Sequence, residues 1–170
     1  YTLFIYEISI NFVNKKNKFF LYVYVLISFI ILQFYLFFYF NIIDFIIIIL
    51  TISIFDTASY FIGSLIGRKK ILSISPNKTY EGLFGGMICT TILMIILNYF
   101  FIKYYFFSFF LIILSIILLS FLGDLIESYF KRLSSIKNSS KLIPGHGGVL
   151  DRFDSFILVT YGMFLYKFLI

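Results

Sequence analysis

Long apolar runs separated by short polar stretches dominate the chain. They lie near 19–40, 42–63, 83–102, 106–126 and 153–170. A helix needs about 20 mostly apolar residues to cross the hydrocarbon core of a bilayer, so the pattern predicts five spans. The first window carries no charge, the second holds Asp44 and Asp56, and the fourth ends on Asp124 and Glu127. The last is short and stops at the chain terminus. Only helices and closed barrels satisfy every backbone polar group in lipid. Segments such as Phe45-Ile46-Ile47-Ile48-Ile49-Leu50 lack the alternation of a barrel strand, so the spans are predicted as helices. The expectation is an all-α polytopic membrane protein, a single integral membrane domain over residues 1–170. An amphipathic tail precedes the first span, and polar loops occupy 64–82 and 127–152.

Composition agrees. The chain has 170 residues, 61% of them hydrophobic, where a soluble domain is nearer half apolar. Phe and Tyr are abundant and Trp is absent, a bias that AT-rich coding would produce, so aromatic stripes carry no weight. The single cysteine, Cys89, excludes an internal disulfide and a Cys-based metal site. No signal-peptide pattern is visible and the chain does not open on Met, so a fragment lacking its true start is expected.

The net charge of +6 gains meaning from its placement. Lys15, Lys16 and Lys18 precede the first span, and Arg68, Lys69, Lys70 and Lys78 follow the second. Lys131, Arg132, Lys137, Lys141 and Arg152 follow the fourth, while Lys103 and Lys167 fall on the opposite side. Positive residues mark the cytoplasmic side, so both polar loops are predicted there.

Four polar constellations carry candidate chemistry. Asp56-Thr57-Ala58-Ser59-Tyr60 lies late in the second span, and Asp56, Tyr60, Gly63 and Gly67 recur at about one helical turn. An ionisable group at membrane depth is a functional candidate, although a helix-packing stripe would look the same. Next comes Ser75-Pro76-Asn77-Lys78-Thr79-Tyr80-Glu81-Gly82, followed by Gly85-Gly86. Ser75 suits an N-cap and Pro76 can open a helix, which would let Lys78 and Thr79 meet a phosphate; an ordinary capped turn is the plain alternative. In Gly123-Asp124-Leu125-Ile126-Glu127-Ser128-Tyr129-Phe130-Lys131-Arg132, the spacing aligns Asp124, Glu127 or Ser128, and Lys131 on one helical face. A salt-bridged helix end is the alternative there. Finally, Pro144-Gly145-His146-Gly147-Gly148-Val149-Leu150-Asp151-Arg152-Phe153-Asp154 joins a glycine-rich turn to two carboxylates and an arginine. That combination suits a metal–phosphate site, or equally a loop of solvated charges. Magnesium takes oxygen ligands, often one or two carboxylates plus substrate phosphates. Asp124 and Asp151 are the first candidates, with Asp56, Glu127 and Asp154 behind them. His146, the only histidine, is either a ligand, an acid–base group or a loop-holding residue.

In the same order, Asp56-Thr57 with Tyr60, Ser75-Pro76 through Gly82, Gly123 through Arg132 and Pro144 through Asp154 resemble the motifs of the phosphatidate cytidylyltransferase (CDP-diacylglycerol synthase) family. The resemblance runs from about Asp44 to the C-terminus. It implies magnesium-dependent transfer of a cytidylyl group from CTP to phosphatidate, giving CDP-diacylglycerol and pyrophosphate. It also implies a polytopic enzyme among membrane lipids, a homodimer, and a polar cavity open to the cytoplasm. The family's paired metal centre, magnesium with a second, monovalent metal such as potassium, falls on Asp124 and Asp151. Ser128, Lys131, Arg132 and Asp154 take the catalytic positions. Lys78, Thr79, Asp56, His146 and Arg152 take the substrate-binding ones. No nucleic-acid partner is expected. Asn138 stands where the family usually has Asp, Ala58 where it usually has Gly, and the family's further N-terminal spans are absent. A cytidylyltransferase for another lipid phosphate, such as an isoprenoid one, is the near alternative. A transporter is another, though the acids cluster at one face rather than at the bilayer midplane. The departures at Asn138 and the N-terminus also keep a catalytically inactive scaffold in view.

Overall fold

A computed structural model describes every residue except 13, 14, 73, 74, 137, 141, 143–146 and 170; the side chains of 15, 16, 72, 76, 77, 168 and 169 also lie outside the description. Helix α1 spans Thr2–Asn11, and α2 spans Lys15–Phe34 and runs on through a π-helical turn at Tyr35–Tyr39. Helix α3 covers Ile42–Ile66. Strands β1 (Lys70–Leu72) and β2 (Ser75–Thr79) form an antiparallel hairpin, with Lys70 opposite Thr79 and Leu72 opposite Ser75. Helix α4 covers Tyr80–Leu97 and continues through a π-helical turn at Asn98–Ile102. Helix α5 covers Phe106–Leu133 and α6 covers Leu150–Leu169.

Among the described residues, four helical stretches are long and apolar enough to cross a membrane: Asn17–Tyr39, Ile42–Ile66, Tyr80–Ile102 and Phe106–Leu133. They coincide with the first four windows of the sequence. The fifth window also folds as a helix, α6, but its Asp151, Arg152, Asp154 and Lys167 set it apart from those four. Large apolar side chains such as Phe37, Leu65 and Phe101 stand three-quarters or more exposed, as lipid-facing positions do. The protein is an all-α, polytopic membrane protein with one small hairpin.

The chain divides into two compact units, Tyr1–Phe40 with Ser120–Ile170, and Asn41–Leu119. In the first, Phe4 and Ile8 of α1, Leu21 and Val25 of α2, and Leu150 and Ile157 of α6 form one buried cluster. The Tyr161 hydroxyl donates to the backbone carbonyl of Tyr24 at 2.9 Å, and the two rings stack. In the second, α3 and α4 approach closely where side chains are small. A Cβ on Gly82 would lie 2.7 Å from the Ser59 carbonyl oxygen, and one on Gly86 would lie 2.8 Å from Ser59 Cβ. Small residues at i, i+4 on both helices permit this approach in lipid, where packing rather than hydrophobic burial drives association.

The start of α4 differs from expectation. Ser75 and Pro76 lie in strand β2, and the helix begins five residues beyond Ser75 at Tyr80. Thr79 is the N-cap, its hydroxyl accepting from the Gly82 N–H at 3.1 Å. Pairing with β1 takes the stretch that Pro76 would otherwise have opened as a helix, and the Glu81 carboxylate accepts from the Arg68 and Lys69 N–H groups at 3.1 and 3.2 Å. The polar segment after the second span is thereby a hairpin clasped onto α4.

Candidate active site

Helix α6 and the part of α5 from Ser120 onward, both in the first unit, build the site. Gly123 removes a side chain where α5 meets α6: a Cβ there would lie 2.6 Å from the Asp154 carbonyl oxygen and 3.0 Å from Ser155 Cα. The next residue, Asp124, accepts a hydrogen bond from the Ser155 hydroxyl. Seven residues further along α5, Lys131 Nζ sits 2.8 Å from Asp151 Oδ1 and 2.6 Å from Glu127 Oε2. An early residue of α5 thus meets a later one of α6, and a later one of α5 meets an earlier one of α6, so the helices run antiparallel here. Asp151 and Ser155 are four residues apart on one face of α6. Those two contacts leave Asp124 and Asp151 about one to two helical turns apart along the helix pair. Asp154, in the same turn, is within electrostatic reach of Asp124 and Glu127.

Asp151 is held by three donors. Lys131 donates to Oδ1, the Ser139 N–H donates to Oδ2 at 2.9 Å, and the Gly148 N–H donates to Oδ2 at 2.8 Å. Burial alone would raise its pKa. The side chains of Glu127 and Lys131 and the Gly148 N–H outweigh burial and hold the carboxyl below its ordinary value. Gly147 precedes this arrangement with φ of +83°, and a Cβ there would lie 2.6 Å from Asp151 Oδ2. Glycine satisfies both the left-handed backbone and the lack of room.

The start of α6 has no cap of its own. The residue before it is Val149, whose side chain cannot accept a hydrogen bond. Glu7 of α1 supplies the acceptors. Its Oε1 accepts from the Val149 N–H at 2.6 Å and the Ser140 hydroxyl at 2.7 Å. Its Oε2 accepts from the Leu150 N–H at 2.9 Å and the Ser139 hydroxyl at 3.0 Å. The glutamate is fully buried, and four donors with the positive end of the α6 dipole balance its charge. Sequence reasoning missed Glu7. Its only signals are a lone carboxylate in an apolar helix and an apolar residue at the α6 cap position.

The remaining expected residues divide between the units. Ser128 lies half-buried on α5. Arg132 is exposed, and its guanidinium donates to the Ile136 carbonyl at 3.1 Å, closing the end of α5. Arg152 is exposed in the first turn of α6. Asp56, exposed on α3, and Lys78 and Thr79, at the end of β2, belong to the second unit. The stripe expected on α3 is split: Gly63 packs against Thr79 and Gly82, whereas Asp56 and Tyr60 are exposed. His146, with Pro144 and Gly145, lies outside the described residues.

The donor set bears on a metal. Asp124, Glu127, Asp151 and Asp154 offer only oxygen, the chemistry that magnesium prefers. Among the described residues no three of His, Cys, Asp and Glu form a ready cage. Magnesium needs none, because one or two carboxylates suffice when substrate phosphates and water complete its shell. The residues fit such an ion in kind, and Asp124 and Asp151 belong to the same helix pair through Ser155 and Lys131.

Comparison with known proteins points the same way. A phosphatidate cytidylyltransferase of Staphylococcus epidermidis is 45% identical over 107 residues, covering 61% of this chain and 41% of that protein. Enzymes of the same name from Staphylococcus saprophyticus and Staphylococcus aureus are 44% identical over 107 residues and 42% identical over 106, each with the same coverage. The chain therefore spans about two fifths of the length of these curated relatives. The model of the cytidylyltransferase family matches residues 3–170, nearly the whole sequence. From Glu7 at the foot of α6 to the carboxylates above it, this chain belongs to the cytidylyltransferase family.

Proposed function

We propose that the protein transfers a cytidylyl group from CTP to phosphatidate, releasing pyrophosphate and leaving CDP-diacylglycerol in the membrane. The observation that carries this is the pair of contacts that ties both carboxylates into one helix pair: Asp124 of α5 accepts from Ser155 of α6, and Asp151 of α6 accepts from Lys131 of α5. The matches to phosphatidate cytidylyltransferases support the choice of substrates. The charge asymmetry of the loops supports a site on the cytoplasmic side, where CTP is found.

Phosphatidate carries its own nucleophile, a phosphate oxygen, so the protein has to position two anions and offset their repulsion. Asp124 and Asp151 would hold magnesium, which supplies neutralisation and a common tether for the triphosphate and the lipid phosphate. An ammonium has three donors. Lys131 donates one to Asp151 and is held beside Glu127 by an ion pair, which leaves donor capacity for a substrate phosphate. Arg132 and Arg152, both exposed, lie where charge on the incoming nucleotide or leaving pyrophosphate needs an opposite charge. Asp154 reinforces the acidic field around the ion, and Ser155 orients Asp124.

Membranes containing the protein, incubated with phosphatidate and CTP labelled at the α-phosphate, should yield organic-soluble label that EDTA abolishes. Asp151→Asn should lose more than about 100-fold of this activity, beyond the usual cost of an outer-shell partner, while remaining membrane-inserted. Full activity in that variant removes Asp151 from the site. No lipid label in the unaltered protein overturns the reaction itself.

A further inference from the structure

We infer that Glu7 is a positioning residue for the metal-holding carboxylate Asp151, acting through the backbone of residues 139 and 148–150. The inference rests on the metal role proposed above for Asp151, and not on which lipid phosphate or nucleotide the site uses. Its structural basis is independent of substrate.

Glu7 and Asp151 share one set of donors and divide it between them. Ser139 gives its hydroxyl to Glu7 and its N–H to Asp151. Consecutive N–H groups at the foot of α6 do the same. Gly148 donates to Asp151, and Val149 and Leu150 donate to Glu7. The two carboxylates therefore hold the same short backbone between them through adjacent donors. A Cβ on Gly148 would lie 2.8 Å from both Glu7 carboxylate oxygens, so the carboxylate sits directly against that peptide. Four donors fix its two oxygens, so it cannot move without releasing Val149 or Leu150. Either release lets the first turn of α6 fray, and Asp151 is the second residue of that turn.

Glutamine would keep the shape and remove this balance. Its amide offers one acceptor oxygen and one NH₂ group. Whichever way it turns, either the Val149 and Ser140 pair or the Leu150 and Ser139 pair faces a donor. The expected result is a folded protein whose Asp151 is poorly held. Outer-shell partners of metal ligands typically contribute about 10–100-fold in affinity or activity.

The test uses the full chain in nanodiscs and Mn²⁺ as the probe, with free ion followed by electron paramagnetic resonance in the absence of CTP. Glu7→Gln should weaken Mn²⁺ binding about 10-fold or more at unchanged stoichiometry, which a mere loss of folded protein would not do. Amide exchange across 147–155 should accelerate, and the KM for CTP at saturating metal should stay within about threefold. Ser140→Ala removes one donor to Glu7 and none to Asp151, so it should weaken Mn²⁺ by a few-fold and serves where the glutamine variant does not fold. Unchanged Mn²⁺ affinity in both variants overturns the inference, as does a wild type that binds no Mn²⁺. Glu7-dependent Mn²⁺ binding without CDP-lipid formation would support the inference and overturn the proposed reaction. CDP-lipid formation with Glu7-independent metal binding would do the reverse.

Discussion

Helices α4 and α6 both start after a polar stretch, and a glutamate holds each start. At α4 every part is local. Thr79 caps the helix from three residues away, and Glu81, in the first turn, reaches back only to Arg68 and Lys69. At α6 the cap position holds Val149, and the acceptors come from Glu7, 142 residues earlier in the chain than Val149. The first clasp is exposed and the second is buried. An exposed carboxylate exchanges its partners with water at little cost, whereas a buried one that loses a partner keeps the full desolvation penalty. Only the buried start carries an expected metal ligand, so strict holding of α6 has a use that α4 lacks.

Removing charge from the buried side should have the largest effect. Lys131→Met leaves Glu127 and Asp151, side chains 5% and 12% exposed, without their shared ammonium. Breaking one side of a buried ion pair costs about 3–5 kcal/mol. The unfolding midpoint in detergent should fall accordingly, and CTP turnover should vanish even at temperatures where the variant stays folded. A midpoint within error of wild type would mean that Lys131 is no more than a surface partner, and the contrast between the two helix starts would weaken.

Gly148→Ala should come second. The new methyl would collide with the Ser139 hydroxyl and with both Glu7 oxygens. Overpacking of this kind costs about 1–3 kcal/mol. Because the Glu7 clamp would have to open, Mn²⁺ affinity should fall along with stability.

These two sites also show what could be read from the sequence. The first four spans follow from uninterrupted apolar windows, because a bilayer enforces helix wherever such a run is long enough. Asp124 and Lys131 were legible as one face of α5, since helical spacing alone aligns them. Their meeting with Ser155 and Asp151 follows from the approach at Gly123, which no local pattern specifies. Ser75 and Pro76 misled for a related reason. They look like the opening of a helix, but cross-strand pairing with Lys70–Leu72 takes that stretch first. Glu7 was the least legible, because a cap supplied from another helix leaves no spacing to recognise.

Thr79→Val should have a smaller effect and sharpens a different point. Valine keeps the shape that packs against Gly63 and Gly67 but cannot accept from the Gly82 N–H. Loss of an N-cap costs about 1 kcal/mol. Thermal unfolding should show that loss with the KM for CTP unchanged, which would assign the hydroxyl to the helix start. A raised KM at full stability would instead return Thr79 to the substrate-binding role that its motif suggests.

The smallest effect is expected at Glu81. Its carboxylate accepts from two backbone N–H groups at the surface, and Glu81→Gln leaves an amide oxygen that can still accept from one of them while water serves the other. The unfolding midpoint should not move measurably, and faster exchange should be confined to the Arg68 and Lys69 amides. The same substitution at Glu7 has no water to fall back on and turns a donor toward donors. If Glu81→Gln proved as damaging as Glu7→Gln, burial would not be what separates the two clasps. The buried clasp on α6 would then need another explanation for its four donors.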